Sequence, residues 1–172
     1  MGGHVRSMDR IKELLLIGAD KVLVGAAAWR RPGLIWEIAE KFGSQILVAA
    51  VDHNENGLFR WNQGENSPQI EGLKAWEVAA VFCGMGAGEI LLTSIERDGS
   101  LDGYDLETIE KVSKAVNIPV IANGGCGNGD HMADAILAGA SAAATSNIFH
   151  ITDRGMTAMK ARVKERGVEI RS

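Results

Sequence analysis

Asp52 follows the apolar run Ile46-Leu47-Val48-Ala49-Ala50-Val51. A carboxylate at the end of a buried strand can move protons near neutral pH if its surroundings tune it. It can equally cap the loop that follows. A second group of residues suits anion binding. Asn123-Gly124-Gly125-Cys126-Gly127 ends one strand-like run, and Thr145-Ser146-Asn147 ends another. Glycines let backbone N–H groups approach a phosphate closely at a helix start, although they also serve as plain turn formers. Asp98-Gly99 sits in a polar loop after Thr93 and Ser94, whose hydroxyls suit either a ligand or hydrogen bonding within the turn. His4, His53, His131 and His150 show no zinc-ligand spacing, and Cys83 and Cys126 form no CxxC pair. No metal and no cofactor is expected.

These residues need elements to hold them. A helix is expected over 7–17, with Ile11, Leu14, Leu15 and Leu16 on one side and Gly18 as its stop. Strands are expected over 21–25, 45–51, 89–94, 118–122 and about 141–145, alternating with helices over 33–42, 72–84, 105–116, 129–138 and 154–166. Trp36 and Trp76 read as packing residues on two of these helices, and Trp61 lies in a long polar loop over 53–70. A short turn is expected from Asn147 to His150. Five strands alternating with six helices give a single α/β domain over 1–172 with parallel pairing. Its polar residues gather at the carboxyl ends of strands, where (βα)8 TIM-type barrels carry their chemistry. A full barrel takes about 250 residues. The 172 residues here predict an incomplete barrel with two bare strand edges, which invite a homo-oligomer or another chain to close them.

Composition narrows the class. Hydrophobic residues make 46% and charged residues 23%, as in a water-soluble globular domain. The net charge of −4 supplies no basic excess for a nucleic-acid partner. No apolar run approaches the roughly 18 residues of a membrane span. The start, Met1-Gly2-Gly3-His4-Val5-Arg6, carries no hydrophobic block of the kind a signal peptide needs. Two widely separated cysteines fit a reduced, cytoplasmic setting.

The run from Gly86 through Thr93-Ser94-Ile95-Glu96-Arg97-Asp98-Gly99, with Gly103-Tyr104-Asp105, Ile118 to Gly127 and Ser146-Asn147-Ile148-Phe149-His150, resembles the cyclase subunit family of imidazole glycerol phosphate synthase. The resemblance covers nearly the whole chain, from the loop after the family's third strand to its carboxyl end. It implies a lyase of histidine biosynthesis. In the family, ammonia from a glutaminase partner reacts with a phosphorylated aminoimidazole-carboxamide ribulose. The products are imidazole glycerol phosphate and an aminoimidazole carboxamide ribotide. The family uses two strand-end aspartates. Asp52 matches the second, and the first, with its nearby lysine, has no counterpart here. Asn123, Gly124, Gly125, Ser146 and Asn147 match a phosphate site, and Thr93, Asp98 and Gly99 match substrate contacts beside it. At the opposite end Lys21 and Glu89 match two members of a charged gate over the ammonia passage, and Asp20 matches a position facing the glutaminase. Ordinary surface ion pairing accounts for Lys21 and Glu89 as well.

Several positions depart from the family pattern. His4 stands where the family has glycine, and Gly25-Ala26 stands where it has Asn-Thr. Both changes remove support for a second phosphate. The expectation is therefore a cyclase relative with reduced or no activity as an isolated chain. Two alternatives stay open. One is an oligomeric module that binds phosphate or captures a partner. The other is a cyclase-like subunit of surface-sugar amidine synthesis.

Overall fold

Ser7 starts the first helix, α1 (Met8–Leu16), by accepting a hydrogen bond from the Arg10 N–H on its hydroxyl, the usual remedy for an open helix start. In the computed structural model the described residues are 5–31, 33–54, 56–57, 72–146, 148 and 155–170. Through them run β1 (Val22–Val24), α2 (Ala26–Arg30), α3 (Gly33–Phe42), a 3-10 turn (Ser44–Ile46) and β2 (Leu47–His53). Then follow α4 (Ala75–Gly84), β3 (Glu89–Ser94), α5 (Leu106–Ala115), β4 (Val120–Asn123), α6 (Gly129–Leu137), β5 (Ala142–Ala143) and α7 (Met156–Glu165). All five strands join one parallel sheet in chain order. This is the architecture of an incomplete (βα)8 barrel.

Side chains alternate across the sheet. Leu47, Ala49, Val51 and His53 of β2 and Ile90, Leu92 and Ser94 of β3 are buried on one face, where α4 packs. The other face carries Ala50, Asp52, Glu89, Leu91, Thr93, Ile121 and Asn123, all half-buried. The register aligns these into rows: Val48 beside Glu89, Ala50 beside Leu91 and Ile121, and Asp52 beside Thr93 and Asn123. The apolar run of β2 suggests cover on both sides, yet Ala50 and Asp52 are only half-covered among the described residues.

Several expectations need correction. Leu16 is 86% exposed, because α1 turns Ile11 and Leu14 inward and leaves the residue two past Leu14 outside. Trp36 is 57% exposed for the same reason: α3 buries Leu34, Ile35 and Ile38. Trp76 does pack, with its ring against Gly57 and the Lys111 ammonium 4.8 Å from its centroid. The strand expected from residue 45 begins at Leu47, after the 3-10 turn, and runs on to His53. The short helix α2 follows β1 where no helix is expected. The strand expected over 141–145 pairs only at Ala142 and Ala143. Trp61, His4, Asn147 and most of the 53–70 loop and the 147–150 turn lie outside the described residues.

Asp105 is the expected N-cap of α5, and its carboxylate accepts from both the N–H and the hydroxyl of Thr108. Asp105 is buried beside the His53 ring, whose Nδ1 lies 3.5 Å from its Oδ2 and donates to the Asn54 carbonyl at 2.9 Å. This cluster locks the end of β2 to α5, behind the face that carries Asp52. Arg162 of α7 and Arg166 just past its end bind Asp130 and Asp134 and fasten α7 over α6. Among the described residues no helix is long and apolar enough to cross a membrane.

Candidate functional site

The carboxyl ends of β2, β3 and β4 bring Asp52, Thr93 and Asn123 to one level. The Asn123 amide donates to the Thr93 hydroxyl oxygen at 3.3 Å. Thr93 also hydrogen-bonds the Asp52 carboxylate. Burial pushes the Asp52 carboxyl above its ordinary range. The His53 charge and the Thr93 hydrogen bond pull it part of the way back. A half-buried carboxyl that holds its proton more tightly than usual is better suited to take and return one. Ser94 points to the other face, buried, with its hydroxyl unpaired among the described residues.

Beside this row lies a small hollow. Asp98 and Gly99 line it from the loop after β3, and Asn123, Gly124, Gly125 and Cys126 from the end of β4. Ala144, Thr145 and Ser146 complete it from the segment after β5. Asn123 belongs to both the Asp52–Thr93–Asn123 row and the hollow. Gly124 and Gly125 have φ of +89° and +99°, a conformation that turns successive peptide groups toward one concavity. Gly125 has a second reason to be glycine: an added Cβ would strike the Gly103 carbonyl oxygen. The two loops interlock there, since the Gly103 N–H donates to the Gly125 carbonyl at 2.7 Å.

Two residues missing from the sequence-based set hold these loops in place. The Tyr104 hydroxyl donates to the Ala144 carbonyl at 2.8 Å, tying the loop before α5 to the segment after β5. Burial, and then hydrogen bonding with Cys126, pushes its phenol well up, so it stays a donor. Arg97 donates through Nη1 to the carbonyls of Gly103 and Tyr104 at 3.3 and 3.4 Å. Both lie within the motif runs that carry the family resemblance, but nothing in the sequence says which carbonyls they reach.

Of the expected site residues, the structure gathers Asp52, Thr93, Asp98, Gly99, Asn123, Gly124, Gly125 and Ser146 on one rim. Asn147 lies outside the described residues. Lys21 and Glu89 sit at the other end of the sheet, their Nζ and Oε1 2.6 Å apart, with the exposed Asp20 alongside. Glu89 is on the same face as Thr93, about 13 Å away along β3 at roughly 3.3 Å per residue. Among the described residues no three of His, Cys, Asp and Glu come together as a metal-binding set.

Comparison with known proteins adds to this geometry. The profile of a family described as "Histidine biosynthesis protein" matches residues 1–154. A relative from Hydrogenobaculum sp. (strain Y04AAS1), named imidazole glycerol phosphate synthase subunit HisF, is 44% identical over 173 residues, covering 99% of this chain and 69% of its own length. The protein of the same name from Pyrobaculum aerophilum is 44% identical over 171 residues, covering 99% and 68%. That from Chlorobium phaeobacteroides is 42% identical over 175 residues, again covering 99% and 68%. The chain thus spans about two thirds of the length of each.

Proposed function

The chain belongs to the histidine biosynthesis protein family, and from that premise we propose that its rim carries the cyclase and lyase chemistry of imidazole glycerol phosphate synthase. Asp52 is the acid–base group for ring closure and C–N cleavage. Thr93 and Asn123 orient it and the substrate. Gly124, Gly125, Ser146 and Asn147 hold a substrate phosphate, with Asp98 and Gly99 at its edge. The observation that carries this reading is the shared row: Asn123 hydrogen-bonds Thr93, in register with Asp52, and also lines the glycine hollow. A phosphate anchored there leaves the rest of a small substrate within reach of the carboxylate.

The family's other strand-end aspartate has no counterpart among the 172 residues. Turnover by the chain alone is therefore proposed to be slow. Ammonia is proposed to come from the opposite end of the sheet, past Lys21 and Glu89, delivered by a glutaminase docking near Asp20. The printed names of the three relatives favour the histidine branch over surface-sugar amidine formation. The test is steady-state conversion of the phosphorylated aminoimidazole-carboxamide ribulose with ammonium as nitrogen donor. Release of both products at a rate above the uncatalysed reaction supports the reading. Phosphate binding with no turnover in any assembly leaves a phosphate-binding module instead.

A second reading concerns assembly. Among the described residues β1 pairs only with β2 and β5 only with β4. Leu23, Leu91 and Ile121 are half-buried apolar side chains on the face opposite the helices. Bare ladder groups and apolar surface together favour pairing with a second copy. Size-exclusion chromatography with light scattering is expected to show a species of at least twice the chain mass. A stable, well-folded monomer at micromolar concentration would remove self-association from the account.

A further inference from the structure

Beyond the residues that line the hollow, we propose that Arg97 determines its specificity, as a cation behind the wall that selects a doubly charged anion over a singly charged one. This rests on the reading of the hollow as a phosphate cradle. Among the described residues the lining holds no lysine, arginine or histidine, and its one charged member, Asp98, is an anion. Backbone N–H groups fix the place of an oxyanion, but they are neutral and offset only part of two charges. Selection by charge calls for a cation close by, since Coulomb energy grows with ligand charge.

Arg97 occupies that place. It precedes Asp98 on the loop after β3. Its Cβ lies 3.2 Å from the point where a Cβ on Gly125 would sit, so its stem backs the wall of the hollow. Nη1 donates to the carbonyls of Gly103 and Tyr104, which are neutral acceptors. Nε is buried with no partner among the described residues. Asp102, Asp105, Glu107 and Asp134 border the same outer groove as Arg97. Three of them are engaged elsewhere: Asp105 by Thr108 and His53, Glu107 by Lys111, and Asp134 by Arg166. Asp102 forms no ion pair with Arg97 among the described residues, its N–H turning instead to the Ser100 hydroxyl. A half-buried charge with no counter-ion is costly to keep. A dianion in the hollow supplies the counter-charge from the other side of the Gly125 wall.

The two carbonyl bonds also make Arg97 a brace, and the test must separate charge from bracing. Arg97→Lys keeps the charge but lacks the rigid fork. Arg97→Gln keeps a donor and removes the charge. Sulfate and methanesulfonate present the same three-oxygen face with two charges and with one. Their affinities are to be read from backbone amide titrations of the full chain at constant ionic strength. A field acts in proportion to ligand charge, so Arg97→Gln should weaken sulfate binding roughly tenfold and methanesulfonate binding roughly threefold. Arg97→Lys should hold both within about twofold of the unaltered chain. Equal losses for the two anions in Arg97→Gln, or Arg97→Lys as weak as Arg97→Gln, would overturn the role and leave a brace. If Arg97→Gln does not fold, or methanesulfonate binds too weakly to follow, sulfate binding by Arg97→Lys decides: retention supports the role, and a loss of roughly tenfold overturns it. No sulfate binding by the unaltered chain would overturn the cradle and this role with it. Binding that is unchanged in Arg97→Gln would overturn the role alone.

Discussion

Asp52→Asn should lower turnover roughly 10²- to 10⁴-fold, the usual contribution of a positioned acid–base group, while raising the melting temperature at neutral pH. The two changes share a cause. Burial raises the Asp52 carboxyl above its ordinary range, against smaller opposing effects of His53 and Thr93. A carboxyl whose folded value exceeds its unfolded value binds its proton more tightly in the folded state. Its contribution to stability is thus most favourable below the unfolded value, and is lost as pH rises from there through the folded one. Above that window the folded chain carries a poorly solvated carboxylate, and asparagine removes the charge while keeping the shape. Thermal melts of both chains across pH check this: they should converge in acid and separate as pH rises, with the variant the more stable. A structural carboxylate would give the reverse, with the variant melting lower at neutral pH. Equal turnover in both chains would remove Asp52 from the chemistry.

Gly125→Ala should be the most damaging small substitution in the rim. The residue has φ of +99°, where a side chain costs about 1–2 kcal/mol by itself. The new Cβ would also strike the Gly103 carbonyl oxygen and come within 3.2 Å of the Arg97 Cβ. Backbone must move to make room, so the total cost should reach about 3 kcal/mol. Gly167 supplies the control. It has φ of +77° but open space around its missing Cβ, so Gly167→Ala should cost only about 1 kcal/mol. Urea unfolding of the two variants separates strain from collision. In the unaltered chain millimolar phosphate should raise the melting temperature, because a ligand of the folded state alone stabilises it. Gly125→Ala should abolish that rise even where it still folds. Similar costs at both positions would mean that the loops around Gly125 yield freely, contrary to the interlocked geometry.

Much of the scaffold was legible in the sequence. Runs of branched and apolar residues ending in Asp52, Ser94 and Asn123 mark strands buried on at least one side, and the glycines after them mark sharp turns. Asp105 is readable as a cap because a short carboxylate before an amphipathic stretch has few other uses. The register is not readable. Nothing local says that Asp52, Thr93 and Asn123 share a level, since one residue of slip would put Asp52 beside Ser94. Exposure of Leu16 and Trp36 also depends on tertiary context, because hydrophobicity reports what a side chain tolerates and not which way its helix is turned. The helix α2 did leave a trace in Ala26-Ala27-Ala28, the strongest helix-forming residue repeated. The preceding strand signal obscured it.

The most direct test of the rim as a phosphate-binding acid–base site is a titration of the isotope-labelled chain with inorganic phosphate, read at each backbone amide. The account predicts saturable shifts centred on Gly124, Gly125, Cys126, Thr145 and Ser146, reaching Asp98 and Gly99, and absent in Gly125→Ala. Millimolar phosphate that leaves those amides unmoved, or moves others in their place, would contradict it.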